Sequence, residues 1–204
     1  MQIFILSSLL FLFLTSCTST PTTAPLPVSE IVLETVQPPS VLTVDSFVLD
    51  GFSILAQEKA DFNMDGFEDA VLILKSINEE ETSDYVNDKP SLRPLLFLAG
   101  DKMGSLHLVA RNDNAVYCFD CGGQMGDPFN SLVVNKQFVS INHYGGSQIR
   151  WTRNITFKYN TAKESWLLHK DEQEDASATA PVDSPQLETE SINTPLELFD
   201  LYES

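Results

Sequence analysis

Residues 61–69, DFNMDGFED, set the side-chain oxygens of Asp61, Asn63 and Asp65 at alternate positions, follow the third with Gly66 and close with Asp69. A chain with this spacing can wrap hard oxygen ligands around one hard cation. A helix-loop-helix calcium hand is excluded, because its bidentate Glu would fall at the twelfth position, which is Leu72 inside the apolar run AVLIL. Side-chain oxygens completed by water suit Ca2+ better than Mg2+, which demands octahedral order, or zinc, which prefers nitrogen and sulfur. The competing reading is an Asx-rich turn whose oxygens accept backbone N–H bonds.

Two further constellations carry potential chemistry. Cys118 and Cys121 form CFDC and run into glycines and Asp-Pro rather than a helix, so a structural disulfide is preferred over a low-pKa thiol–disulfide redox pair, with metal binding the least supported use. In RWTRNITFKY, Arg153 shares a strand face with Trp151, Ile155, Phe157 and Tyr159, and in the preceding strand His143 shares one with Val139 and Ile141. A cation on a buried face needs a partner, and Asp127 or Asp120 are the candidates. His143, Tyr144, Arg150, Trp151 and Arg153 around the GGS turn would suit an anionic or carbohydrate-like ligand. The alternative, a buried ion pair fixing the corner of a sheet, is the preferred reading. No G-x-S-x-G, H-E-x-x-H, P-loop or dinucleotide fingerprint is present. A hydrolase-type envelope enzyme using His143 with Arg153 or a carboxylate is therefore the secondary expectation, and a non-enzymatic module the first.

The elements that must position these residues are almost all strand-like. AVLIL at 70–74 and LLFLA at 95–99 are unbroken apolar runs, as in strands covered on both faces, whereas 105–110, 131–135, 137–144 and 150–159 alternate. The expected fold is mainly β: a single domain over 45–170 of antiparallel sheets and hairpins, blade-like or a sandwich. With no second calcium-type loop to build further blades, it reads as one blade-like sheet extended by the later hairpins. SILAQEKA at 53–60 could form a short helix, and NEEETSDYVNDKP reads as a loose loop.

The flanks differ in kind. Residues 1–16 form a short apolar leader, too brief for the roughly 20 residues of a spanning helix. It ends in LTSC, and Leu14, Thr15, Ser16 and Cys17 resemble the lipobox of bacterial lipoproteins. The resemblance implies lipidation of Cys17, a membrane anchor and residence in the bacterial cell envelope, at the outer membrane if the host has two. Residues 17–44, rich in Thr, Pro and Ser, read as a tether, and 171–204 as an acidic disordered tail. Within the tail, Thr194, Pro195 and Glu197 have the spacing of a helix start over 194–202, with Leu198, Leu201 and Tyr202 on one side. A frayed end is preferred there over docking on its own domain or a partner. Ten of the 29 acids lie after Lys170 with no base among them, and the net charge of −17 is mostly tail. Nucleic acid is not an expected partner, since it needs clustered positive charge.

The D-x-N-x-D-G-x-x-D spacing leading into a strand resembles the calcium loops of FG-GAP and VCBS repeats. That resemblance implies side-chain oxygens from Asp61, Asn63, Asp65 and Asp69 and a backbone carbonyl from Phe67. The ordered motifs RPLLFLAG, CGGQMGDPF, HYGGS and RWTR resemble an uncharacterised family of secreted bacterial proteins and lipoproteins across about 46–169. It implies a location and a loop, with an unknown protein or carbohydrate partner.

Overall fold

The computed structural model describes residues 40–176 and 193–203. The leader, Cys17, most of the tether and residues 177–192 of the tail lie outside the described residues. The fold is mainly β. Eight antiparallel strands form two four-stranded sheets, each a plain meander in chain order. The first holds β1 (Phe52–Ala60), β2 (Asp69–Ser76), β3 (Leu95–Gly100) and β4 (Leu106–Asn112); the second holds β5 (Phe129–Asn135), β6 (Phe138–Gly146), β7 (Arg150–Asn160) and β8 (Ser165–Ala176). The expected single extended sheet is thus two sheets, separated by the disulfide-bearing segment between β4 and β5.

The unbroken run in β2 has a direct cause. Val71 and Ile73 join Leu95 and Phe97 of β3 and Val139, Ile141, Ile155 and Phe157 of the second sheet in one core. Leu72 and Leu74 point the other way and join Leu96 and Leu98 in a second cluster, covered by Val44, Phe47, Val48 and Leu49. Both faces are therefore dry, and alternation has no purpose there. The covering segment is pinned by Leu42, whose N–H donates to Ser105 Oγ and whose carbonyl accepts from Leu106 N–H. Leu42 and Val44, within the span expected to be tether, thus belong to the packed domain. In the second sheet many outward positions are polar, as in the Ser140–Thr156 hydroxyl pair at 2.8 Å, and alternation returns, with Val133 an exposed apolar exception.

Three sequence expectations change. Residues 53–60 form strand rather than helix, paired along β2 from Phe52 to Ala60. NEEETSDYVNDKP is not loose: a helical turn spans Glu79–Thr82, Glu79 is buried, and Asp120 accepts from Ser83 Oγ and Tyr85 N–H. The acidic segment 171–176 belongs to β8, held by register with Arg150–Ile155 of β7 and by Asp171 turning inward.

The C-terminal residues dock on their own domain instead of fraying. Only Leu196–Leu198 forms a tight helical turn, so the buried set is Leu196, Phe199 and Leu201, with Leu198 exposed. Asn112 Nδ2 donates to the carbonyls of Leu196 and Phe199, Leu201 N–H donates to the Asn114 carbonyl, and Leu168 N–H donates to that of Thr194. This strap closes the cleft between β4 and β8. Each buried apolar side chain contributes about 1.5–3 kcal/mol before ordering entropy is subtracted. Truncation after Ile192 should therefore lower the unfolding free energy by a net of about 2 kcal/mol, and a synthetic peptide of residues 193–203 should restore it. An unchanged urea midpoint would show that the docking contributes nothing.

Candidate functional site

The 61–69 loop leaves β1 and re-enters at β2. Met64 and Gly66 take positive φ values of 66° and 91°, which turn the chain back on itself. The turn points oxygens inward: Asp61 accepts from Asp65 N–H at 3.1 Å and Gly66 N–H at 3.0 Å, Asn63 Oδ1 from Asp65 N–H at 2.9 Å, and Asp65 from Phe67 N–H at 2.9 Å. Asn63 Nδ2 also donates to Asp65 at 2.8 Å. Phe67 itself is partly exposed.

Asp69 stands apart from this set. It is buried, and three backbone N–H groups donate to it: Phe62 at 3.1 Å, Asn63 at 3.3 Å and Gly100 at 2.9 Å. A carboxylate offers about four acceptor positions, so Asp69 has one left and Asp61 and Asp65 two each, while the Asn63 amide oxygen, with about two, keeps one. It ties the loop to the end of β3, where only Gly100 fits: a Cβ there would lie 2.2 Å from the Glu68 carbonyl oxygen. Burial raises the Asp69 pKa, against the lowering by its three amides, and Asp65 raises it further. The neighbouring ammonium, Lys59, pairs with Glu68 at 3.0 Å instead. The loop is thus an oxygen-only donor set short of positive charge, of the kind a hard divalent cation takes, though its carboxylates stand apart: no oxygens of Asp61, Asp65 and Asp69 lie all within 4.8 Å of one another.

The His143–Arg153 corner is built differently from a ligand site. His143 and Arg153 face each other across β6 and β7, and Gly145 faces Trp151, whose ring lies where a Gly145 Cβ would be, 2.4 Å away. Tyr144 and Arg150 alternate to the opposite side, where Arg150 Nη1 donates to the carbonyls of Gly146 and Ser147 and braces the turn. The five residues therefore do not converge. Arg153 is buried and meets Asp171 with two hydrogen bonds, Nε at 2.9 Å and Nη2 at 2.7 Å, and its Nη1 donates to Tyr117 Oη at 2.8 Å. Its partner is neither Asp127 nor Asp120, because β8 continues far enough to bring Asp171 alongside.

Asp127 serves a second arginine that sequence reasoning passed over. Arg93, fully buried ahead of Pro94, donates Nε and Nη2 to Glu79 and Nη1 and Nη2 to Asp127, at 2.7–3.0 Å. Its Nη1 also donates to the Tyr117 carbonyl at 3.1 Å, so all five guanidinium N–H groups are satisfied. Tyr117 links the whole cluster: its carbonyl meets Arg93, its hydroxyl Arg153, and its N–H donates to His143 Nε2 at 3.4 Å. The next residue, Cys118, is disulfide-bonded to Cys121, which pins Tyr117 in place. The only sequence signal for Arg93 was a lone cation two residues ahead of a strand whose first four residues are buried.

His143 is buried with Nε2 accepting, so its proton sits on Nδ1, which has no partner of hydrogen-bond geometry. Burial lowers its pKa to about 3; the Arg153 backbone opposes this, while the Arg153 and Arg93 charges add to it. A neutral, sealed imidazole is poorly placed to move protons for a substrate.

No family model, curated protein or solved structure matches the chain. Functional inference therefore rests on the chemistry of these residues.

Proposed function

We propose that the chain is a calcium-stabilised β module of the bacterial cell envelope, anchored through lipid on Cys17, which binds a protein or carbohydrate partner or plays a structural part rather than catalysing a reaction. One observation carries the reading: Asp61, Asn63 and Asp65 turn their oxygens inward on a single loop that also holds a buried, charge-disfavoured Asp69 and has no Lys or Arg of its own. Bound calcium would supply the missing positive charge and hold the β1–β2 connection in its native form. Asp61, Asn63 and Asp65 would give side-chain oxygens and Phe67 a backbone carbonyl, while Asp69 holds the loop to β3 and has one acceptor position to spare. The polar cluster around Tyr117 favours a structural role for the His143–Arg153 corner, since both side chains are committed inside the fold. The LTSC motif supports the anchor, and the acidic chain suits a surface module held away from nucleic acid.

The test is calorimetric titration of calcium into chelator-stripped protein beginning at Thr18, which keeps every described residue. A one-site isotherm is expected, and at a hundred times Kd the native state should gain about 2.7 kcal/mol by mass action. Asp65→Ala should remove both the heat and the rise in Tm. No heat and an unchanged Tm in the parent protein would make the stretch an Asx-rich turn.

A further inference from the structure

A cavity of about 240 Å³ opens beside the 61–69 loop, walled by β3 and β4 of the first sheet, the β7–β8 turn of the second and the C-terminal strap. One part of its lining is apolar and aromatic, including Phe62, Val109, Tyr159 and Trp166. The other part is acidic: Asp69 from the start of β2, Glu164 from the β7–β8 turn and Glu197 from the strap. No Lys, Arg or His lines it. Among the described residues, Glu164 and Glu197 form no ion pair, unlike Glu68 and Glu79, which do.

The negative field reaches the aromatic wall. Burial raises the Tyr159 hydroxyl pKa, and Glu164, Asp65 and Asp69 raise it further. An anion is therefore unwelcome in this cavity, and a neutral apolar ligand would leave the carboxylates uncompensated. A bare metal ion is a poor match as well. The three carboxylates come from separate elements, and among the described residues no group of their oxygens lies close enough together to hold one. A ligand with charge buried in its own alkyl groups satisfies both parts of the lining, because its methyl or methylene surface packs on the rings while the charge faces the acids. The volume is below that of a drug-sized pocket and suits a single head group.

We infer that this cavity binds a small organic cation of the alkylammonium class, with Tyr159 receiving its alkyl surface and Glu164 and Glu197 its charge. Asn63 and Asp69 belong both to this cavity and to the 61–69 loop, so calcium in the loop would weaken the pull on the cation without removing the aromatic wall or Glu164 and Glu197.

The experiment is a titration of the chelator-treated protein from Thr18 onward with choline, followed by Trp166 fluorescence and calorimetry, beside 3,3-dimethylbutan-1-ol, the neutral isostere. Choline should bind saturably and about ten-fold more tightly than the alcohol, the usual scale for a charge held by rings and partly desolvated acids. Glu164→Gln with Glu197→Gln should remove most of that preference, and both residues are exposed, so the variant should keep its Tm. Tyr159→Leu should weaken choline while leaving the alcohol little changed. Equal binding of choline and alcohol would overturn the proposal by making the cavity merely apolar. Absence of choline binding in protein with an unaltered Tm would overturn it too. A parallel titration at saturating calcium separates the two readings: choline binding in neither condition overturns this proposal and leaves the loop reading intact, and choline binding to a protein whose loop takes no calcium leaves this result standing.

Discussion

Replacing Arg93 with Met should lower the unfolding free energy by about 3–5 kcal/mol, the cost of leaving buried carboxylates without their counter-ion. Glu79 is almost fully buried and Asp127 partly so, with 30 % of its side chain exposed; Arg93 meets each through two hydrogen bonds, whereas Lys75 reaches Glu79 only at 3.8 Å. The methionine would fill much of the volume, so the loss measures charge rather than cavity. Arg93→Lys should also lose stability, because one ammonium cannot reproduce a planar five-donor fork. Adding Glu79→Gln to Arg93→Met should recover part of the loss by removing one orphaned charge. Urea denaturation of the three variants decides the matter. A cost below about 1 kcal/mol for Arg93→Met would place the pair in the class of solvated surface bridges and dismiss the cluster as a stabilising unit.

Acid should destabilise the domain through His143. Its folded pKa, about 3, lies below the ordinary value of 6.5. The native state therefore stays neutral while the unfolded chain takes up a proton. The stability this contributes is fully present above pH 6.5 and is lost as pH falls through the window toward 3. At about 1.4 kcal/mol per pH unit, the full window amounts to roughly 5 kcal/mol. Asp69, whose pKa is raised, works in the opposite sense, and Asp101 and Asp120, whose pKa values are lowered, work in the same sense. The informative quantity is therefore the difference from His143→Gln, which keeps an acceptor for Tyr117 N–H and cannot titrate. Melting curves from pH 7 to 4 should converge for the two proteins as the wild type loses its advantage. Parallel curves would mean that His143 is hydrated and free to charge.

The strands were legible because their signal is local. Alternation in β6 and β7 reports one wet face, and AVLIL reports two dry ones, as the separate clusters around Val71 and Leu72 bear out. The disulfide followed from spacing and glycine context, and it is present. Cross-strand partnership was not legible. Asp171 sits in a run of acids that reads as solvated, yet its neighbour in space is Arg153, 18 positions earlier. Arg93 gave little warning because its partners lie on a helical turn and a loop, 14 and 34 positions away. The strap was misjudged for a similar reason. Leu196, Phe199 and Leu201 do not share one helical face, so a helical reading selected Leu198, Leu201 and Tyr202 and could not see the cleft that receives the segment. The turn made by Asp61, Asn63 and Asp65 follows from their spacing, but the separation of Asp69 from the rest depends on the Gly100 amide of another strand.

The two meanders have a consequence for how the polypeptide acquires its shape during synthesis. Every ladder joins strands adjacent in sequence, so each sheet can assemble from nearby hairpins as the chain leaves the ribosome, with little loop entropy to overcome. The contacts that seal the domain are of another kind: Asn112 waits 84 and 87 positions for the carbonyls of Leu196 and Phe199. A nascent chain would thus hold two nearly complete sheets with the β4–β8 cleft still uncovered. Through that interval, protection from aggregation would depend on holding factors that bind exposed apolar clefts, and ribosome stalling within the acidic segment would prolong the vulnerable state.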